Sequence, residues 1–423
     1  MFDRNRLFVP VHQLEIGMFV SDLDRPWLST PFPIQGFEIT SKEEIQQIAE
    51  ICEYVYIDKK KYGLYDDKPD EDLIVKQNRR LPFKRSYDYP AIKYRKYKLP
   101  VDKCVVEEEL GNAKDVYEKA RRNINKTLEC LRSGHEINVK QAKQAVSECV
   151  ESIFNNKDSL LWFTLIKKRD PYTSEHSLNV TILSIAFGRY LGHSEQVLKT
   201  IGLCGLLHDV GKVKIPLEVL NKTGRFTQYE FEIMKQHPEY GYDYLVKQKN
   251  VDYEVIHAAY SHHEKMDGSG YPQGLLGPQI PYYAKLIAII DTYDAITNDR
   301  CYKKGRTTLQ AQKILYKSAG SHYDEELVKS FIQWLGIYPP ASIVEMSNGE
   351  VGIVLSANDD WKSKPCVVLL LDEQKQTQPQ RIVDLYMNVL DRQGNIYCIK
   401  TSHPNNSFGL NLANFQLNEM IMS

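Results

Sequence analysis

The sequence predicts a mainly α fold: a helical bundle at the centre, a small α/β module ahead of it and a small β-rich tail behind. Three observations predict it. Between residues 105 and 335, apolar positions recur at three- and four-residue spacing with few interruptions. The first 72 residues instead hold short β-type runs around one helical stretch. After Pro339-Pro340, short apolar runs are split by Asn-Gly and Gly-Asn turns, a pattern of antiparallel strands.

In the N-terminal module FVPVHQL and YVYID read as strands, and the hydroxyls of Thr40-Ser41 can cap a helix through KEEIQQIAEICE. Residues 76–103 are basic, tyrosine-rich and punctuated by proline. Arginine and tyrosine can stack on bases, but no nucleic-acid motif accompanies them, so a solvated linker is the preferred reading. VVEEELGNAKDVYEKARRNINKTLECL and VKQAKQAVSECVESIF follow as helices, the second capped by Asn138. Thr173-Ser174 can start EHSLNVTILSIAFGRYLG, and Gly192 is a natural stop. LKTIGLCGLLHDVGK, LIAIIDTYDAIT and DEELVKSFIQWLG continue the bundle. IVEMS, GEVGIVLSA, PCVVLLLD and NIYCIK read as strands of a small barrel or meander. The expected boundaries are 1–103 for the N-terminal module with its linker, 104–154 for connecting helices, 155–340 for the central domain and 341–423 for the tail.

A chain of 423 residues is too long for one core. The net charge of −1 and 42% hydrophobic content leave no global field to draw the chain onto nucleic acid or a membrane. Eight scattered cysteines without a CxxC favour neither a zinc knuckle nor a disulfide scaffold. The start MFDRNRLFVP lacks an apolar signal core, and no run approaches the ~18 apolar residues of a membrane helix. A reduced, cytoplasmic location is expected.

The pair His208-Asp209 carries the most information, with His176 ahead of it and His237, His262-His263 and Asp291 behind it. These five imidazoles and two carboxylates suffice for two cations sharing one bridging carboxylate, the arrangement of metal-dependent hydrolases. In LCGLLHDVGK, Leu203 to Leu207 pack while His208 and Asp209 emerge at the helix end, their side chains diverging by roughly 100°. A carboxylate has two oxygens, so Asp209 is the bridging candidate. A single buried histidine is more often a hydrogen-bonded core residue than a ligand; HD, HHE and a D-x-x-D helix in order are harder to assign to coincidence. A mononuclear zinc would need only three or four of the seven.

The chain here resembles the HD-GYP proteins, the subclass of HD-superfamily phosphohydrolases that cut cyclic dinucleotides. The likeness runs from about residue 170 to 336. It rests on His176-Ser177, LLHDVGKVKIP, QHPEYG, HHEKMDGSGYPQGLLGPQIP with Gly-Tyr-Pro at 270–272, and IDTYDAITNDRCYKK. LEIGMFVSDLDRPWLSTPFPIQGF resembles a module of unassigned function often fused ahead of such domains.

The resemblance implies an HD-type helical bundle with one metal on His176, His208, Asp209 and Asp291. A second would take Asp209 as bridge plus His237, His262 and His263. It implies that Lys212 lies near the scissile phosphate, where its charge stabilises the transition state; the plain alternative is a helix-end lysine. It implies substrate contacts at Asp294, Arg300, Lys303 and Tyr271, against the alternative of a solvated helix end. Some members carry a glutamate four residues before the first histidine and bind a third ion; Tyr172 stands there, so two ions are expected. The nitrogen and oxygen ligands favour iron or manganese. The implied reaction is hydrolysis of cyclic di-GMP to pGpG. The alternatives are a phosphodiesterase for cyclic GMP–AMP and a receptor or scaffold without turnover. A cyclic dinucleotide is the expected partner, with no nucleic acid and no membrane insertion. A homodimer through the helices near 105–150, and a protein partner at the GYP loop or N-terminal module, stay open.

Overall fold

The computed structural model divides into two units, Met1–Arg95 and Lys96–Ser423. The described residues are 6–11, 14–23, 32, 36–52, 54–58, 101–132, 137–165, 174–222, 224–298, 305–358, 361–404 and 407–410. The basic stretch of residues 76–100 lies outside them.

In the first unit β1 (Arg6–Pro10), β2 (Phe19–Leu23), β3 (Phe37–Glu38) and β4 (Tyr54–Asp58) form an antiparallel sheet in the order β1-β4-β2-β3. Helix α1 (Lys42–Ile51) begins as expected: the Ser41 hydroxyl accepts the N–H of Glu44, and the Glu44 carboxylate accepts the N–H of Thr40 at 2.7 Å. Val9, Val20, Ile39, Ile48, Val55 and Ile57 close the core of this unit.

The second unit begins with α2 (Val106–Arg132), whose buried Leu110, Ala113, Tyr117, Ala120, Ile124 and Leu131 share one face. That face packs on α3 (Val139–Asn155), capped by Asn138, and on α4 (Ser159–Leu165) and α5 (Ser174–Tyr190). Every residue of α5 from Ser177 to Arg189 is buried, which makes it the central rod of the bundle. Gly192 takes a positive φ of 80° just past its end. The remaining helices are α6 (Glu195–Leu207), α7 (Leu217–Leu220), α8 (Gln228–Met234), α9 (His237–Leu245), α10 (Tyr253–Ser261), α11 (Tyr282–Thr297), α12 (Thr308–Lys317) and α13 (Glu325–Leu335), of which α6, α11 and α13 pack on α5.

The tail is an antiparallel sheet of β5 (Ile343–Met346), β6 (Val351–Ser356), β7 (Cys366–Leu371), β8 (Thr377–Asp384) and β9 (Ile399–His403) in the order β8-β7-β6-β5-β9. The chain does not simply meander, because β9 returns to pair with β5. Strand β8, TQPQRIVD, is absent from the sequence reading: it is an edge strand that carries Pro379 and is mostly polar and only partly buried, so it lacks an apolar run. NIYCIK splits into an isolated bridge at Leu390–Ile396 and the start of β9. The sheet is tied to the bundle by Trp162, fully buried, whose indole donates to the Leu355 carbonyl at 2.6 Å.

Candidate metal centre

Five helices deliver the candidate ligands. His176 is the third residue of α5; His208 follows α6 directly; His237 opens α9; His262 and His263 follow α10; Asp291 lies within α11. Between α6 and α7 the 3₁₀ turn Val210–Lys214 carries Lys212. This turn packs tightly on α9: a Cβ on Gly211 would meet the His237 carbonyl oxygen at 2.0 Å and the Gly241 nitrogen at 2.4 Å. Glycine at the fourth position of HDVGK is therefore what lets the HD pair approach His237.

The imidazoles are oriented from behind. His208 Nδ1 lies 2.8 Å from the Gly205 carbonyl, His237 Nδ1 2.7 Å from Met234 O, and His262 Nδ1 2.9 Å from Ala259 O. A carbonyl only accepts, so each Nδ1 carries a proton, and in the neutral ring Nε2 then presents a lone pair. Four Nε2 atoms converge on Asp209. His176 Nε2 and His208 Nε2 lie 3.6 and 3.3 Å from Oδ2; His237 Nε2 and His262 Nε2 lie 3.3 and 3.7 Å from Oδ1. Asp291 Oδ1 is 3.1 Å from His176 Nε2. His263 stands beside His262 and His237, with ring centroids 4.2 and 5.0 Å away.

The electrostatics match these positions. Burial pushes His237 down to about 3 and also lowers His262 and His263, keeping them neutral. Burial opposes ionisation of Asp209 and Asp291, yet their cationic neighbours outweigh it and hold both well below the usual carboxylate range. His176 differs: burial works downward, but its hydrogen bonds to Asp291 and Asp294 raise it to about 10.

This donor set fits divalent cations. His208 Nε2 and Asp209 Oδ1 are buried without a hydrogen-bond partner, a costly state for polar atoms unless something positive meets them. His237 Nε2 and His262 Nε2 face each other at 3.3 Å, where two lone pairs repel unless a cation or proton lies between. Three groups have donor atoms within 4.8 Å of one another: His237, His262, His263; His176, His208, Asp291; and His208, Asp209, His262. Two of these groups share His208, two share His262, and Asp209 stands between the outer pairs.

Around the centre, Lys212 Nζ lies 2.5 Å from Asp209 Oδ2 with its side chain 17% exposed. Tyr271 stacks on His263, centroids 4.8 Å apart, and donates its backbone N–H to the His263 carbonyl. The Gly-Tyr-Pro loop hugs the chain just after α10: a Cβ on Gly270 would sit 2.4 Å from Lys265 N, and the Tyr271-Pro272 bond is cis. Asp294 differs from a substrate contact in its placement. It is buried, and its carboxylate binds His176 Nδ1 at 2.7 Å, Asn179 at 3.2 Å and Asn298 at 2.5 Å. Arg300, Lys303 and Tyr172 lie outside the described residues. Glu175 is 3.9 Å from Arg121.

Sequence reading missed Asn179, Asn298 and Glu264. The first two follow His176 and Asp294 by one helical turn, a spacing that signals a shared face. Glu264 completes the HHE triplet, and its buried carboxylate accepts the backbone of the loop after Gly-Tyr-Pro.

A family model for the HD domain matches residues 161–327, and one for a domain of unknown function, DUF3391, matches residues 7–142. The chain is 34% identical over 381 residues to the cyclic di-GMP phosphodiesterase PA4108 of Pseudomonas aeruginosa, covering 89% of this chain and 88% of that protein. It is 37% identical over 169 residues to the cyclic di-GMP phosphodiesterase response regulator RpfG of Xanthomonas campestris pv. campestris, covering 40% of this chain and 45% of that one. The 3'3'-cGAMP-specific phosphodiesterase 2 of Vibrio cholerae is 35% identical over 169 residues, covering 40% and 32%. With near full-length likeness to one such protein and the HD histidines gathered around Asp209, this chain belongs to the HD-GYP family of HD domain phosphohydrolases, whose members are metal-dependent.

Proposed function

We propose that this chain is a phosphodiesterase that hydrolyses cyclic di-GMP to linear pGpG with the aid of two divalent cations. His176, His208 and Asp291 would hold one cation and His237, His262 and His263 the other, with Asp209 within reach of both groups. The observation that carries the reading is the pairwise approach of four Nε2 atoms to the two oxygens of Asp209, two histidines to each oxygen. When bound, such cations lower the pKa of water and offset charge on the phosphate. The nitrogen and oxygen donors favour iron or manganese.

The protein supplies the rest. Helix ends hold the imidazoles rigidly, so little reorganisation accompanies reaction. Lys212 places a fixed positive charge at the partly open side of Asp209, where a phosphate oxygen can reach it. Tyr271 forms a wall beside His263. Arg300 and Lys303, in the segment after α11, are proposed to read the guanine and the phosphates. Water adds to phosphorus, the bond to the ribose 3′-oxygen breaks, and that oxygen takes up a proton. No helix among the described residues is long and apolar enough to cross a membrane.

The test uses the full chain loaded with Mn²⁺ or Fe²⁺ and supplied in parallel with cyclic di-GMP and 3′,3′-cyclic GMP–AMP. The expected result is pGpG from cyclic di-GMP, about two metal equivalents per chain, and loss of both turnover and most metal in Asp209→Ala. Binding without cleavage by the loaded protein would overturn the catalytic reading. Faster cleavage of cyclic GMP–AMP would overturn the substrate.

A further inference from the structure

Three of the candidate ligands are aimed by the same local device. His208, His237 and His262 each place Nδ1 on the carbonyl three residues earlier, at 2.7–2.9 Å. Each follows a helical turn that provides that carbonyl: His208 and His262 stand at helix ends, and Lys235 and Gln236 before His237 are themselves right-handed helical. His176 has no such turn behind it, being the third residue of α5. Its Nδ1 partner comes instead from another helix, the carboxylate of Asp294 on α11, at 2.7 Å.

The substitute is chemically different. A backbone carbonyl is neutral, whereas a carboxylate is anionic, accepts more strongly and pushes electron density onto the far nitrogen. Two asparagines hold Asp294 in place. Asn179, one turn along α5 from His176, donates to Oδ1 at 3.2 Å, and Asn298, one turn after Asp294, donates to Oδ2 at 2.5 Å. With 3% of its surface exposed and both oxygens engaged, Asp294 has little left to offer a substrate. Among the described residues, no carboxylate backs His208, His237 or His262 in this way.

We propose that Asp294 is a positioning residue that sets the tautomer and donor strength of His176, so that the cation held by His176, His208 and Asp291 is the more tightly bound of the pair. The inference rests on the two-cation reading above. It makes the two halves of the centre unequal although their protein donors are similar in number: one half has an anionic backing behind His176, whereas neutral carbonyls stand behind His237 and His262 in the other. The tighter ion loads first, and the looser half exchanges metal first.

The experiment measures metal, not turnover. Full-length protein is stripped with chelator and titrated with Mn²⁺ by equilibrium dialysis and elemental analysis. His263→Ala isolates the His176 half and His176→Ala isolates the other; the first is expected to hold its remaining ion more tightly. Adding Asp294→Asn to His263→Ala should weaken that ion roughly 10- to 100-fold and leave the ion of His176→Ala unchanged. Asn298→Ala, which removes one of the bonds on Asp294, should weaken the same ion by a smaller factor, and it serves should Asp294→Asn fail to fold. Unchanged Mn²⁺ affinity when Asp294→Asn is added to His263→Ala would overturn the inference. Equal weakening in both backgrounds would also overturn it. A wild-type chain that takes up only one Mn²⁺ would overturn the two-cation reading and the inference together; two ions with Asp294→Asn unaffected would overturn the inference alone.

Discussion

Glu264 is clasped to Gln273: its Oε1 accepts the Gln273 backbone N–H at 2.6 Å, while Oε2 accepts that of Leu275 at 2.8 Å. The carboxylate is buried, and burial raises its pKa against the opposing pull of these N–H groups. It joins the residue after the HH pair to the chain just beyond Gly-Tyr-Pro, which fixes the loop beside two candidate ligands.

Replacing Glu264 by Ala removes the charged acceptor of two backbone N–H groups, hydrogen bonds worth about 1.5–3 kcal/mol each. The expected outcome is a lower unfolding midpoint in metal-free protein, seen by calorimetry, and a raised KM because Tyr271 loses its fixed place against His263. Glu264→Gln keeps an acceptor and should lose about half as much stability. An alanine variant with wild-type midpoint and KM would refute the clasp.

Lys212 should matter for rate and not for metal content. Its ammonium lies 2.5 Å from Asp209 Oδ2 at the partly exposed edge of the centre. Removing one fixed charge that stabilises a transition state typically costs ~10²–10³ in kcat. Lys212→Ala is expected to fall within that range in steady-state assays while elemental analysis gives wild-type metal. Loss of metal together with rate would make Lys212 structural.

Gly211→Ala should be among the most damaging single-methyl additions in the chain. The new Cβ would approach the His237 carbonyl to 2.0 Å and the Gly241 backbone nitrogen to 2.4 Å, and backbone cannot move aside as a flexible side chain does. A destabilisation of about 3 kcal/mol is expected, read from the denaturant midpoint, with metal uptake impaired because His237 is displaced from the HD pair. A change below about 1 kcal/mol would mean the 3₁₀ turn can shift freely.

The tail should lose stability in acid through Glu350. This buried carboxylate accepts from Tyr397 at 2.6 Å, Asn348 at 2.7 Å, Gln378 at 2.8 Å and Arg381 at 3.2 Å. Burial raises its pKa, but these hydrogen bonds outweigh burial and hold it below the usual glutamate range. A depressed folded value means that the stabilisation is complete above the unfolded pKa of ~4.3 and disappears as pH falls through the lower folded value. Thermal midpoints of the wild type should therefore fall more steeply below about pH 4.3 than those of Glu350→Gln, which starts lower at neutral pH. Parallel curves would refute the assignment.

Legibility in the sequence followed the range of the interaction. Helix α1 was readable down to its cap because Ser41 and Glu44 act within one turn. The end of α5 was readable because Gly192 alone supplies the positive φ. Strand β8 was not, since an edge strand needs no apolar run and its place is set by β7 beside it. The candidate ligands stood out as residue types that apolar helices would otherwise exclude. Asp294 read as a second carboxylate on the face of Asp291, and its engagement with His176 across 118 residues left no mark in the local pattern.

The chain's own order of residues therefore decided the helices, their caps and the roster of imidazoles and carboxylates, because those depend on periodicity over a few residues and on side-chain chemistry. Only tertiary structure decided that Nε2 atoms from separate helices point at the two oxygens of one aspartate, that Gly211 admits α9 to the HD turn, and that Glu264 and Asp294 serve other residues first. Hydrogen-bond direction and close approach are properties of packed neighbours far apart in the chain, and no local spacing encodes them.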